Sequence, residues 1–146
     1  MLRRRSEVGE HIKTPLSRLR AVYVASALAT IVVGLAVHLG RTRVPLAVRD
    51  VIGDALWAIM ITWWVSALWP RLARGARAAL ALGICYAVEV SQLYHTPGLD
   101  AVRRTKLGHL VLGSSFDLRD FAVYALGVLG AVIIESAAAS RGRTRS

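Results

Sequence analysis

The sequence predicts an all-α polytopic membrane protein, with four transmembrane helices and a short re-entrant or interfacial segment between the third and fourth. Three observations carry this. More than half of the 146 residues, 55%, are hydrophobic, beside a formal net charge of +10. The stretches Ala21–Leu39, Val51–Trp69, Ala78–Leu99 and Phe121–Ala139 contain just three charged residues, Asp54, Glu89 and Glu135, while the rest of the chain holds all the others. A soluble domain interleaves its charges with its core at helical or strand period, whereas this chain segregates them in blocks. The basic surplus therefore does not indicate a soluble nucleic-acid binder, and no nucleic-acid partner is expected.

Crossing the hydrocarbon core takes about 20 apolar residues in a helix. The first run, residues 21–39, carries no formal charge and is flanked by Arg18 and Arg20 before it and Arg41 and Arg43 after it. It is too long for a signal-peptide core, and no small-residue cleavage pattern follows it, so it reads as a retained span. The second run, about 51–69, ends at Pro70 and contains Trp57, Trp63, Trp64 and Trp69, a residue type favoured at headgroup level. The third, about 78–95, is alanine-rich and closes before the turn signal Pro97-Gly98. The fourth covers about 121–139. Residues 1–20 and 140–146 form basic tails, and 21–139 the membrane domain.

Lysine and arginine counts set the expected orientation. The side that holds both termini and the 70–77 loop carries twelve, and the opposite side seven. Both termini are therefore expected in the cytoplasm of a multi-pass protein of the inner (plasma) membrane, with the tails against anionic headgroups. The single cysteine, Cys85, lies within the third span, so it reads as a small packing residue and no disulfide framework exists.

Ionisable residues at membrane depth cost roughly 2.5–3.5 kcal/mol each, so each needs a partner or a purpose. Connectivity alone puts the start of span two, the end of span three and the start of span four at one membrane face. Asp54, Glu89 with Gln92, and Asp117 with Asp120 stand at those ends. Glu89 and Gln92 are neighbours at i, i+3, with Cys85 one turn deeper. Asp117, Asp120, Tyr124, Gly127, Ala131 and Glu135 step by three and four along the fourth span, and Trp57 shares a side with Asp54. In the first span Ser26, Thr30, Gly34 and His38 form a small-residue seam. The connection YHTPGLDAVRRTKLGHLVLGSSFDLRD contains an apolar stretch, Leu107–Leu112, far below spanning length. Residues of about 100–116 are expected to fold over the helix ends and deliver Arg103, Arg104 and Lys106 to the acids. Arg103 or Arg104 is the expected partner of Glu89.

The candidate polar pocket is thus Asp54, Trp57, Glu89, Gln92, Arg103, Asp117, Asp120 and Tyr124, on the extracytoplasmic face. Asp54, Asp117 and Asp120 also suit plain helix-start roles, and Glu135 suits snorkelling from the other end. His38, His95 and His109 show no metal-ligand spacing, and no P-loop, dinucleotide fingerprint or nucleophilic triad is present, so no metal or cofactor is expected.

The segments GDALWA at 53–58, EVSQLY at 89–94, GLDAVR at 98–103, LVLGSSF at 110–116 and DFAVYALG at 120–127 resemble a family of small bacterial membrane proteins catalogued as a domain of unknown function. More distantly, the order of the E-x-x-Q, the downstream Arg103 and the element from Asp120 to Gly127 resembles VanZ-like membrane proteins, although Tyr124 stands where those usually carry Asn. The first resemblance implies an integral membrane protein without an assigned reaction. The second, to proteins linked to low-level teicoplanin resistance, implies envelope lipids or cell-wall precursors.

Three functions fit. Mixed acids and an arginine would bind a zwitterionic or cationic lipid headgroup through charge-assisted hydrogen bonds. The same carboxylates would serve a membrane-embedded enzyme acting on a lipid-linked substrate as acid and base. Alternatively, the ion pairs hold a structural or assembly partner together with no ligand. Membrane lipids are the expected partners, and the small-residue faces also suit a homo-oligomer.

Overall fold

A computed structural model describes residues 16–39, 45–105, 108 and 116–143. Among them are five helices: α1 (Leu16–Leu39), α2 (Leu46–Leu68), α3 (Arg74–Ser91), α4 (Pro97–Arg103) and α5 (Leu118–Arg143). The all-α expectation holds. Three helices, α1, α2 and α5, are long and apolar enough to cross a membrane, not four. The third expected span is the exception. It begins at Arg74 rather than Ala78 and ends at Ser91, so it draws Arg77 into a helix that also carries Arg74 and Glu89. Its 18 residues reach about 27 Å, slightly short of the hydrocarbon thickness.

The other long helices overrun their expected limits because turns of helix extend past the apolar core into charged flanks. α1 starts five residues early with Arg18 exposed, α2 takes in Arg49 and Asp50, and α5 begins before Phe121. The Pro97-Gly98 pair does not make a turn but opens α4. Thr96 caps it, its Oγ1 accepting the Leu99 N–H at 3.3 Å, and Pro97 occupies the first helical position where its missing N–H is harmless. Of the expected interfacial segment at 100–116, Asp100–Arg103 belongs to α4; Lys106, Leu107 and residues 109–115 lie outside the described residues.

α2 is the central element, packed against α1, α3 and α5, and α3 also packs on α5. The core is built of small residues at the crossings. One cluster joins Ala58, Val65, Ala81, Cys85, Tyr124 and Val128, and another joins Tyr23, Ala27, Trp63, Ala67 and Ala131. Cys85 is fully buried there as a packing residue. Such contacts suit membrane helices, where close backbone approach takes the place of a hydrophobic drive between helices. The outer faces are apolar, with Val22, Leu28, Val32, Leu126, Leu129 and Ile133 exposed.

Gly127 marks the tightest crossing. A Cβ there would stand 2.6 Å from the Ala55 carbonyl oxygen and 3.0 Å from the Ala58 Cβ. The obstruction is backbone, so it cannot rotate away. Gly127→Val is expected to destabilise the bundle by about 1–3 kcal/mol through overpacking, read as a lowered denaturation midpoint in detergent micelles.

Candidate functional site

On α3, Arg77, Ala81, Cys85 and Glu89 recur every fourth residue, with Gln92 three further on, and all five are buried. This stripe places a carboxylate at one end of the helix and a guanidinium at the other. Glu89 is completely buried. Its Oε1 accepts the backbone N–H of Asp117 at 2.8 Å, and its Oε2 accepts the Tyr124 hydroxyl at 3.0 Å and Gln92 Nε2 at 3.2 Å. The first N–H groups of a helix have no partner within it. Glu89 supplies one from a neighbouring helix and sets its negative charge at the positive end of the α5 dipole. The Asp117 carboxylate accepts the Arg119 N–H at 2.9 Å, so it caps α5 from the inside of the turn. Beside this, the Tyr86 hydroxyl donates to the Phe121 carbonyl at 3.1 Å, and the two rings lie 4.6 Å apart.

Arg103 does not pair with Glu89, and neither does Arg104, which is exposed. Arg103 is buried. Its Nη2 donates to the Ser91 carbonyl at 2.6 Å, and its Nη1 to the Tyr94 carbonyl at 2.8 Å and to Asp100 Oδ1 at 3.4 Å. The chain turns back after α3 into α4, which brings this guanidinium onto the Ser91 carbonyl, which also accepts the Tyr94 N–H at 3.1 Å, and onto the Tyr94 carbonyl in the turn that follows. A cation there also complements the negative end of the α3 dipole. Arg103→Lys keeps the charge but loses the fork that reaches two carbonyls at once. A loss of about 1–2 kcal/mol in unfolding free energy is expected, with faster amide exchange at residues 91–94.

Asp54 and Asp120 are half-buried, and Asp50 and Asp117 are exposed. Asp54 and Asp120 lie within electrostatic reach of each other and of Asp50, Asp117 and Glu89. Among the described residues no ion pair reaches any of these five acids, although the Arg119 side chain acts on Asp120 electrostatically. Trp57 packs against the apolar core. His38 is exposed, and its carbonyl accepts Arg49 Nη2. His95 pairs with Asp100 at 3.4 Å, and His109 lies outside the described residues. Among the described residues, no three His, Cys, Asp or Glu side chains stand together as a metal-binding group.

The opposite end of the bundle holds a polar group that the sequence reading passed over. Glu135 does not snorkel outward. Its Oε1 accepts the Tyr23 hydroxyl at 2.7 Å and Arg77 Nη2 at 2.7 Å, while Arg77 Nη1 donates to the Tyr23 oxygen at 3.0 Å. Arg77 also sits over the Tyr23 ring, 5.3 Å from its centroid. Arg74 adds an ion pair to Glu135 at 3.5 Å and a hydrogen bond to Ser136 at 3.3 Å. The signal was present: stepping back by four from Cys85 through Ala81 reaches Arg77. Starting the span at Ala78, where the charges stop, hid it.

Residues 43–128 match the model of a protein family described as protein of unknown function (DUF2809). No solved structure matches the chain.

Proposed function

Because the chain belongs to the DUF2809 family of proteins of unknown function, we propose a function from geometry: a four-span membrane bundle whose acidic end receives the ammonium group of an envelope lipid or cell-wall precursor. α3 is the fourth span. It packs along α2 and α5, and the charges at its two ends are answered within the bundle. The excess of basic residues over 1–20, 70–77 and 140–146, twelve against seven on the other side, supports both termini in the cytoplasm. The acids then face the envelope.

One observation carries the reading. In a chain of net charge +10, Asp50, Asp54, Asp117 and Asp120 gather at one end with no cation paired to any of them among the described residues. Asp54 and Asp120, half-buried and on different helices, are suited to hold an ammonium between them through charge-assisted hydrogen bonds. The resemblance to VanZ-like proteins supports an envelope ligand.

The test is lipid retention. Native mass spectrometry of detergent-purified protein is expected to show an amine-bearing lipid held by the unaltered chain, and at least about tenfold weaker retention in Asp54→Asn/Asp120→Asn. An unchanged lipid profile in that variant refutes the reading. A structural or assembly role is the second reading, favoured by the three donors of the protein itself that converge on Glu89. It expects the same double variant to be silent.

A further inference from the structure

We infer that α3 does not insert into the membrane on its own but is held there by α5, through two polar clasps, one near each end of α3. The inference rests on α3 being the fourth span. α1, α2 and α5 are apolar enough to cross by themselves, and α3 is not. The charges that set α3 apart meet partners on α5. Arg74 and Arg77 meet Glu135 and Ser136 at one end, and Glu89 meets the Asp117 N–H and Tyr124 at the other. Twelve residues separate Arg77 from Glu89, about 18 Å along the helix, so the clasps act at different depths and neither replaces the other. α2 offers α3 an apolar surface through Ala58 and Val65, and among the described residues the hydrogen bonds of Arg77 and Glu89 include none to α2.

Chain order sharpens the consequence. α3 ends at Ser91 and α5 begins at Leu118, so the partner of both clasps is made after α3 has emerged. Until α5 arrives, Arg77 meets only Tyr23 of α1 and no carboxylate, and Glu89 meets only Gln92 Nε2, so the insertion of α3 is unfavourable. Insertion of α3 is therefore coupled to docking on α5.

Sidedness of the two ends of α3 tests this in the full chain. Cys85 is the lone cysteine, so a Cys85→Ala background leaves none. Leu72→Cys and Leu93→Cys, at exposed positions before and after α3, are introduced separately and labelled in native membranes with an impermeant maleimide. The two positions are expected to label from opposite sides. Adding Glu135→Ala is expected to lower the ratio of inserted to uninserted α3 by roughly a hundredfold, so that both label from the same side. Adding Arg77→Leu to Glu135→Ala is expected to restore opposite-side labelling, because the buried charge is then gone and the one left without its partner, Arg74, is exposed at the start of α3. Glu135→Gln, which keeps an acceptor for Tyr23 and Arg77, falls between. Opposite-side labelling in Glu135→Ala, or no rescue by Arg77→Leu, overturns the coupling while leaving four spans intact. Same-side labelling of the otherwise unaltered chain instead overturns the four-span reading, and the coupling with it.

Discussion

Glu89→Ala lowers the unfolding free energy of the bundle by about 3–5 kcal/mol, the sum of leaving buried donors without an acceptor. The Tyr124 hydroxyl, the Asp117 N–H and Gln92 Nε2 all point at this one carboxylate, and Glu89 is completely buried. Enclosed on all sides by protein, the site has no water to take its place. Denaturant titration in mild detergent reads the loss, and amide exchange at the start of α5 should rise in parallel because its cap is gone. Glu89→Gln is the graded control. It keeps one acceptor oxygen but turns an N–H₂ toward a donor, so its loss lies between that of alanine and none. A change below about 1 kcal/mol in the alanine variant would mean that the three donors find other partners. Because Glu89 positions the segment that bears Asp117 and Asp120, this variant is also expected to weaken lipid retention. The asparagine variants at Asp54 and Asp120 separate a direct role from that indirect one.

Arg77→Leu is the second large effect, again about 3–5 kcal/mol, since it leaves a largely buried carboxylate without its cation. The side chain of Glu135 is 14% exposed and that of Arg77 5%, so solvent screens this pair little. Arg74 is 3.5 Å away but much more exposed, so it offsets only part of the loss. The companion change Glu135→Leu made together with Arg77→Leu is expected to recover most of the stability, because a buried pair replaced whole by apolar groups is close to neutral. The double-mutant cycle isolates the coupling between the two residues, with the caution that Tyr23 bonds to both. An additive cycle would show that Arg77 and Glu135 act independently.

Much of this architecture was legible in the chain. Block segregation of charge located three of the long helices to within a few residues, and steps of three and four along α5 named the face that is in fact buried, Tyr124, Gly127 and Ala131. The same arithmetic identified Cys85, Glu89 and Gln92 as one line. Apolarity and helix formation part company at Arg77 and at Pro97. Arg77 looked like loop because it is charged, yet the helix runs through it, since a guanidinium is tolerated within a turn once a carboxylate on another helix is there to meet it. Pro97 looked like a stop and is a start, because a proline suits the first turn of a helix as well as the residue after one.

The polar residues divide in the same way. Sequence spacing by itself determined that this is a helical chain with segments long and apolar enough to cross a membrane, which helix ends share a face, and that Glu89 with Gln92 and the aspartates would be neighbours there, because each follows from helical period and connectivity. Which atoms meet was decided by tertiary structure alone. Glu89 and Arg103 reach the same end of the bundle and were natural partners by charge. Instead, one caps the start of α5 and the other the end of α3. The physical reason is that at membrane depth the unpaired N–H and C=O groups of helix ends compete with ionised side chains for the same partners, and one-dimensional spacing records the side chains but not where the helix ends come to rest.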